Sequence, residues 1–249
     1  MSRTAAVLFS LLAWPLVLPW FVFWALVVLL IGVFRAGAVF EAALKWLCRS
    51  TVWLCGIRVS VSGLENIAPG RQYLLMMNHV NFFDGLVFYS RFPGRARGIE
   101  EQGHFSWPVY GWVVRRMGNI PVDRRHGARA LESLRRAAAL IRSRRDVSFM
   151  ILPEGTRTRD GRLGPFKRGG FLLALETGLE ILPLVQKGAY AVNRRGSLLI
   201  RPGRVELAFE RPVPTQGFTR ESVRELMDQV RSVFLKHEDS ASFSVTSNK

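Results

Sequence analysis

The chain has 249 residues, enough for one α/β domain with an appendage and too few for two full domains. Hydrophobic residues make up 49% of it, which excludes wholesale disorder. With 35 Lys and Arg against 19 Asp and Glu the net charge is +16, so an anionic partner is expected: nucleic acid, a phospholipid surface or a phosphorylated substrate.

No residue from Thr4 to Phe34 is charged. The run exceeds the ~20 apolar residues that cross a bilayer core as a helix. Pro15 and Pro19 interrupt it, and proline kinks or breaks a helix. Two readings follow: a single spanning helix from about Pro19 to Phe34, or a kinked, re-entrant element that dips into one leaflet. Ala36-Gly37-Ala38 resembles a signal-peptide cleavage site. A signal core is roughly 7–15 residues, far shorter than this run, so the segment is read as a retained anchor. Ala38 to Cys55 predicts an amphipathic helix whose Trp46 and Trp53 suit a membrane interface. Cys48 and Cys55 share one face of it and read as packing residues. Two cysteines and four histidines without Cys-x-x-Cys form neither a disulfide framework nor a zinc signature.

From Arg58 the pattern alternates. Arg58–Ser62, Tyr73–Met77, Ile120–Val122, Val147–Leu152, Ile181–Val185 and Val205–Phe209 predict strands. Helices are expected from Asp84, over His126–Arg145 with Leu131, Leu134, Ala138 and Ile141 inward, over Arg168–Glu176 with Gly178 as its C-cap, and over Thr219–Lys236. Strands alternating with helices predict an α/β domain with a largely parallel sheet. The Ser-rich end after His237 predicts a disordered tail.

Two strand ends carry chemistry. Asn78-His79-Val80-Asn81-Phe82-Phe83-Asp84 follows an apolar strand and opens a helix, where open α/β sheets place ligands. A carboxylate bonded to one imidazole nitrogen fixes the tautomer and stabilises the imidazolium formed when the other nitrogen takes a proton. With no Gly-x-Ser-x-Gly elbow and no nearby cysteine, direct attack by a substrate hydroxyl is inferred, with His79 as general base. At the second strand end, Pro153-Glu154-Gly155-Thr156-Arg157 offers close backbone approach at Gly155, a hydroxyl, and a guanidinium fork suited to phosphate. Gly118-Asn119-Ile120-Pro121-Val122-Asp123-Arg124 and the proline-bearing strand around Pro183 read as structural when taken singly.

In this order, the four blocks resemble the 1-acyl-glycerol-3-phosphate acyltransferase family of glycerolipid acyltransferases. Asn78, His79 and Asp84 match its N-H-x4-D block, Gly118 to Arg124 its second, Pro153 to Arg157 its P-E-G-T-R block, and the strand around Pro183 its fourth. Phe166-Lys167-Arg168-Gly169 is also similar to the family. The resemblance implies a glycerol-3-phosphate acyltransferase-like α/β fold over residues 57–237, behind a membrane-anchoring helical segment at 1–56 and before a tail at 238–249. It implies that His79 with Asp84 deprotonates the acceptor hydroxyl. Glu154 and Arg157 bind the glycerol-phosphate end, Arg124 assists, and Asn78, Gly155 and Thr156 complete the substrate-binding set. The strand around Pro183 packs near the acyl donor, an acyl-CoA or acyl-carrier protein. No metal or prosthetic group is implied.

One departure stands out. Many family members carry a lysine shortly before the element that is Pro108 to Trp112 here, where this chain has Glu100-Glu101-Gln102-Gly103-His104. That leaves room for another lysophospholipid or a lyso-aminolipid as acceptor. A non-catalytic membrane adaptor of the same fold is the alternative function. The basic charge is then assigned to anionic headgroups, at about 1 kcal/mol per residue near the surface, and not to nucleic acid, for which no motif appears. Arg35, Lys45, Arg49 and Arg58 follow the apolar run while Arg3 precedes it. The positive-inside rule places the catalytic domain on the cytoplasmic face, in a bacterium that of the inner membrane.

Overall fold

The computed structural model describes residues 1–34, 37–123 and 127–245. Two helices lead, α1 (Arg3–Phe34) and α2 (Ala38–Leu54). Then follow β1 (Ile57–Ser62), β2 (Leu74–Met77), α3 (Asp84–Arg91), β3 (Ala96–Glu101), α4 (Tyr110–Met117), β4 (Ile120–Val122) and α5 (Gly127–Arg142). The chain closes with β5 (Ser148–Ile151), α6 (Arg168–Thr177), β6 (Ile181–Lys187), α7 (Ala189–Val192), β7 (Gly203–Phe209) and α8 (Val223–Val245). The strands form one seven-stranded sheet in the order β1-β7-β6-β2-β5-β3-β4. Every neighbouring pair is parallel except β6 with β7.

β2 shows why the centre holds. Leu74, Leu75, Met76 and Met77 are all 0% exposed, and alternate residues of a strand face opposite sides. Leu75 and Met77 enter a core shared with α1, α2 and α3, whereas Leu74 and Met76 enter one shared with α5, α6 and α8. Burial of such side chains stabilises the fold by about 1.5–3 kcal/mol each. On β6 the N–H that Pro183 lacks falls on the β7 side, at the last rung of that ladder. There Glu210 N donates to Pro183 O at 2.9 Å, so an interior strand tolerates proline.

Pro15 and Pro19 remain inside α1 and do not end it. Its apolar length is upheld by packing. Ile200 N donates to Ser10 Oγ at 2.8 Å, Trp14 Nε1 donates to Leu198 O at 2.7 Å, and Trp14 stacks on Phe83. At the other end Gly32 lies against Arg116, so closely that a Cβ there would sit 2.7 Å from Arg116 Nε. The helix is long and apolar enough to cross a membrane, yet it rests on the α/β domain from Ser10 to Gly32.

β3 and α4 were not evident from hydropathy. Ala96-Arg97-Gly98-Ile99-Glu100-Glu101 carries three charges. Arg97 is nevertheless 5% exposed, because its Nη2 bonds Glu41 Oε1 of α2 while Nη1 donates to Ala96 O at 2.6 Å. α8 runs to Val245, beyond the predicted end at Lys236 and into the stretch read as a disordered tail. Ser and Ala there have adequate helix propensity to continue a helix whose earlier turns are packed. The inward placement expected for Leu131 lies outside the described side chains; Ala137, Ala138 and Ile141 of α5 are buried as its period requires.

Candidate active site

β6, β2 and β5 are adjacent and parallel, so their C-terminal ends lie on one edge of the sheet. β2 delivers Asn78 and His79 there, β5 the loop from Leu152 to Thr158, and β6 Gln186. These loops are tied together: Thr158 N donates to His79 O at 2.9 Å.

His79 Nδ1 lies 2.7 Å from Asp84 Oδ2. Asp84 is 2% exposed and accepts three further bonds: from Val80 N at 2.7 Å, Asn81 N at 3.0 Å and Gln186 Nε2 at 2.7 Å. A carboxylate with these donors is held in one orientation. Nδ1 therefore carries the proton and Nε2 is left to accept one. The loop folds this way through local bonds. Asn81 Oδ1 accepts from Phe83 N at 2.8 Å, and Asn81 Nδ2 donates to Ala189 O at 2.7 Å.

Asn78 and Glu154 brace the site. Asn78 Nδ2 donates to Gln186 O at 3.0 Å, and Asn78 Oδ1 accepts from Gln186 N at 2.7 Å. Glu154, 5% exposed, accepts from His79 N at 2.7 Å and Gly164 N at 2.8 Å. Both side chains thus hold the loops together. Gly164 must be small for this, since a Cβ would lie 2.8 Å from Glu154 Oε2. Gly155 turns with φ 69°, the left-handed region that glycine adopts without strain.

Burial pushes the Glu154 carboxyl above its ordinary value of 4.5, against the lowering pull of the two N–H donors. The folded protein thus holds this proton more tightly than the unfolded chain. The contribution is fully present below about 4.5 and is lost as pH rises through the folded-state value. Glu154→Gln should remove that slope. Urea unfolding from pH 4.5 upward should show stability falling with pH less steeply in the variant, and parallel slopes would refute the assignment.

Arg157 is half-buried and Thr156 exposed on the same loop. Arg195, which the motifs did not reveal, reaches in from the segment after α7. Its Nη1 donates to Thr156 Oγ1 at 3.2 Å and to Arg157 O at 3.1 Å. Neither guanidinium has a carboxylate partner among the described residues. Arg124 lies outside the described residues. At the position of the missing lysine, Glu100 accepts from Tyr110 Oη at 2.6 Å and from Asn119 Nδ2, so its carboxylate is occupied within the domain. A cavity of about 160 Å³ adjoins His79, Glu154 and Gln186, with Lys187, Arg162 and Tyr190 on its walls.

Among the described residues no cysteine or serine lines the cavity beside the dyad. Cys48 and Cys55 are buried, their thiols pushed up to about 12 by burial, which confirms them as packing residues. Among the described residues no group of three His, Cys, Asp or Glu side chains is placed to hold a metal ion.

The chain is 27% identical over 186 residues to a 1-acyl-sn-glycerol-3-phosphate acyltransferase of Limnanthes douglasii, covering 75% of this chain and 65% of that protein. It is 31% identical over 183 residues to 1-acyl-sn-glycerol-3-phosphate acyltransferase alpha of Homo sapiens, covering 74% and 64%. The chain thus spans less than two thirds of the length of these relatives. A crystal structure of a 1-acyl-sn-glycerophosphate acyltransferase from Thermotoga maritima shares the fold, with a TM-score of 0.79 over 96% of this chain and 98% of that one at 24% identity. The model of the family described as Acyltransferase matches residues 58–187. That span takes in the dyad, the Glu154 brace and β6, and amounts to more than half the chain: this protein belongs to the acyltransferase family.

Proposed function

We propose that the protein moves a fatty acyl group from an acyl thioester, acyl-CoA or acyl-carrier protein, to the free hydroxyl of 1-acyl-glycerol-3-phosphate, giving phosphatidic acid. The observation that carries this reading is His79 paired to the buried Asp84, on a loop tied to the one that bears Arg157, whose guanidinium has no carboxylate partner among the described residues. His79 Nε2 takes the hydroxyl proton as the oxygen attacks the thioester carbonyl. The tetrahedral intermediate collapses, the C–S bond breaks, and the imidazolium returns the proton to the departing thiolate. The thioester is a substrate, so the reaction needs no resident cofactor.

The acceptor is a lipid, and α1 offers the means of meeting it. Held to the domain at Ser10 and at Gly32, α1 covers ~33 Å at 1.5 Å per residue. A helix pinned at both ends along the domain's flank cannot cross the bilayer while the domain stays in water, so the re-entrant reading is preferred. In it α1 lies in one leaflet, the domain on the cytoplasmic face. Leu11 and Leu12 on α1, Leu198 at 76% exposure and Phe82 at 60% present apolar surface around the Trp14 contacts, beside the dyad.

Lipid mass spectrometry tests the function. Membranes carrying the protein, supplied with lyso-lipids and acyl donors, should accumulate phosphatidic acid. Acylation of another lysophospholipid or a lyso-aminolipid in its place would reassign the acceptor, and free thiol release with none would refute transfer. Arg157→Lys tests the phosphate contact, since lysine keeps the charge and loses the fork. The acceptor's kcat/KM should fall roughly ten- to a hundredfold, matching ~1.5–3 kcal/mol for a charge-assisted bond, with the donor's KM unchanged. Equal changes in both KM values would remove Arg157 from the acceptor site.

A further inference from the structure

Gln186 is a polar residue at the end of an apolar strand, Ile181-Leu182-Pro183-Leu184-Val185, and is 4% exposed. No motif includes it. Its backbone clasps the side chain of Asn78, at the start of the His79 loop. Its side chain donates through Nε2 to Asp84 Oδ1 at 2.7 Å, at the end of that loop. One residue thus grips both ends of the segment that carries His79. The amide orientation is set by chemistry, because Oε1 turned toward Asp84 would face another acceptor. In the orientation present, Oε1 is buried with no hydrogen-bond partner among the described residues. An unpaired buried oxygen works against stability, so for packing alone leucine or methionine would serve β6 better.

We propose that Gln186 is a positioning residue for the acyl-transfer dyad: it holds the Asp84 carboxylate so that Oδ2 faces His79 Nδ1, and it draws part of the negative charge toward Oδ1. This rests on the general-base reading of His79. Without the amide, Oδ1 would keep only the Asn81 N–H. The carboxylate could then rotate, and more of its charge would act on the imidazolium. His79 would then be a less well aligned base. The other charged or titratable groups around the dyad are Glu154 behind the His79 N–H, and Lys187, Arg162 and His237 around the cavity. Lys187 pairs with Glu206 and His237 with Glu210, so an uncharged substitution at 186 leaves their charges in place.

Gln186→Met keeps length and removes the donor. Its kcat should fall roughly ten- to a hundredfold, the range of one lost hydrogen bond to a charged group. The KM values for acceptor and donor should be unchanged. The proton NMR resonance of the His79 Nδ1–H should also shift in Gln186→Met. Wild-type kcat and resonance in Gln186→Met would overturn the proposal. So would a loss seen only in melting temperature or only in KM. If the wild-type protein acylates no lyso-lipid, the function falls, while the resonance still decides whether Gln186 acts on the dyad.

Discussion

His79→Ala should remove acyl transfer, with turnover falling by about two to four orders of magnitude while the protein stays folded and bound to membranes. A positioned general base supplies that factor, and the carboxylates beside the loop are already engaged. Nδ1 is committed to Asp84, Asp84 itself is engaged by four donors, and Glu154 has both oxygens on backbone N–H groups. Asp84→Asn should be comparably damaging for a different reason. An asparagine there has one acceptor oxygen and one NH2. Whichever way it turns, the NH2 meets donors: Asn81 N and Gln186 Nε2 on one side, or Val80 N and His79 Nδ1–H on the other. Either His79 is forced into the wrong tautomer or the loop loses its anchor. Steady-state kinetics on purified protein, with circular dichroism to confirm the fold, checks both. A folded His79→Ala protein working at near-normal rate would exclude the general-base mechanism.

Glu41→Ala should produce the largest loss of stability, about 3–5 kcal/mol, because it strands a buried guanidinium. Arg97 is 5% exposed and would retain only the Ala96 carbonyl as a partner. For a chain of this size the loss corresponds to a melting temperature lower by roughly 10 °C. Replacing the pair together, Glu41→Leu with Arg97→Met, should recover much of it, since neither charge then needs solvating. Thermal unfolding of the two single variants and the double variant measures the coupling. Additive losses would mean that Glu41 and Arg97 do not act as a pair.

What could be read in the chain without its fold was what depends on near neighbours. The Asp84–His79 spacing is a loop closing on itself over five residues, and Gly178 caps α6 in the left-handed conformation its position suggests. β2, β5 and β6 are apolar runs long enough to declare themselves. What escaped depends on distant partners. β3 looked too charged because Glu41, which neutralises Arg97, lies 56 positions away. Gln186 was one polar residue after an apolar strand until the fold set it against Asp84, 102 positions earlier. Arg195 was one arginine among many. The loop contacts of Asn78 and Glu154 escaped for a related reason: a motif shows which residue types recur together, not which neighbouring loop their polar atoms meet. The continuity of α1 through two prolines likewise came from packing, which propensity does not encode.

The Ser10–Ile200 contact, made across 190 residues, has a consequence for how the protein is made. α1 leaves the ribosome well before the segment that caps its polar hydroxyl and the strand β7 that follows that segment. At ~5–20 residues per second the apolar helix waits on the order of ten seconds or more for its partners. A bilayer is the surface able to shelter it over that interval. The nascent chain would then settle on the membrane before its sheet is complete, and the sheet would close against a helix already seated there.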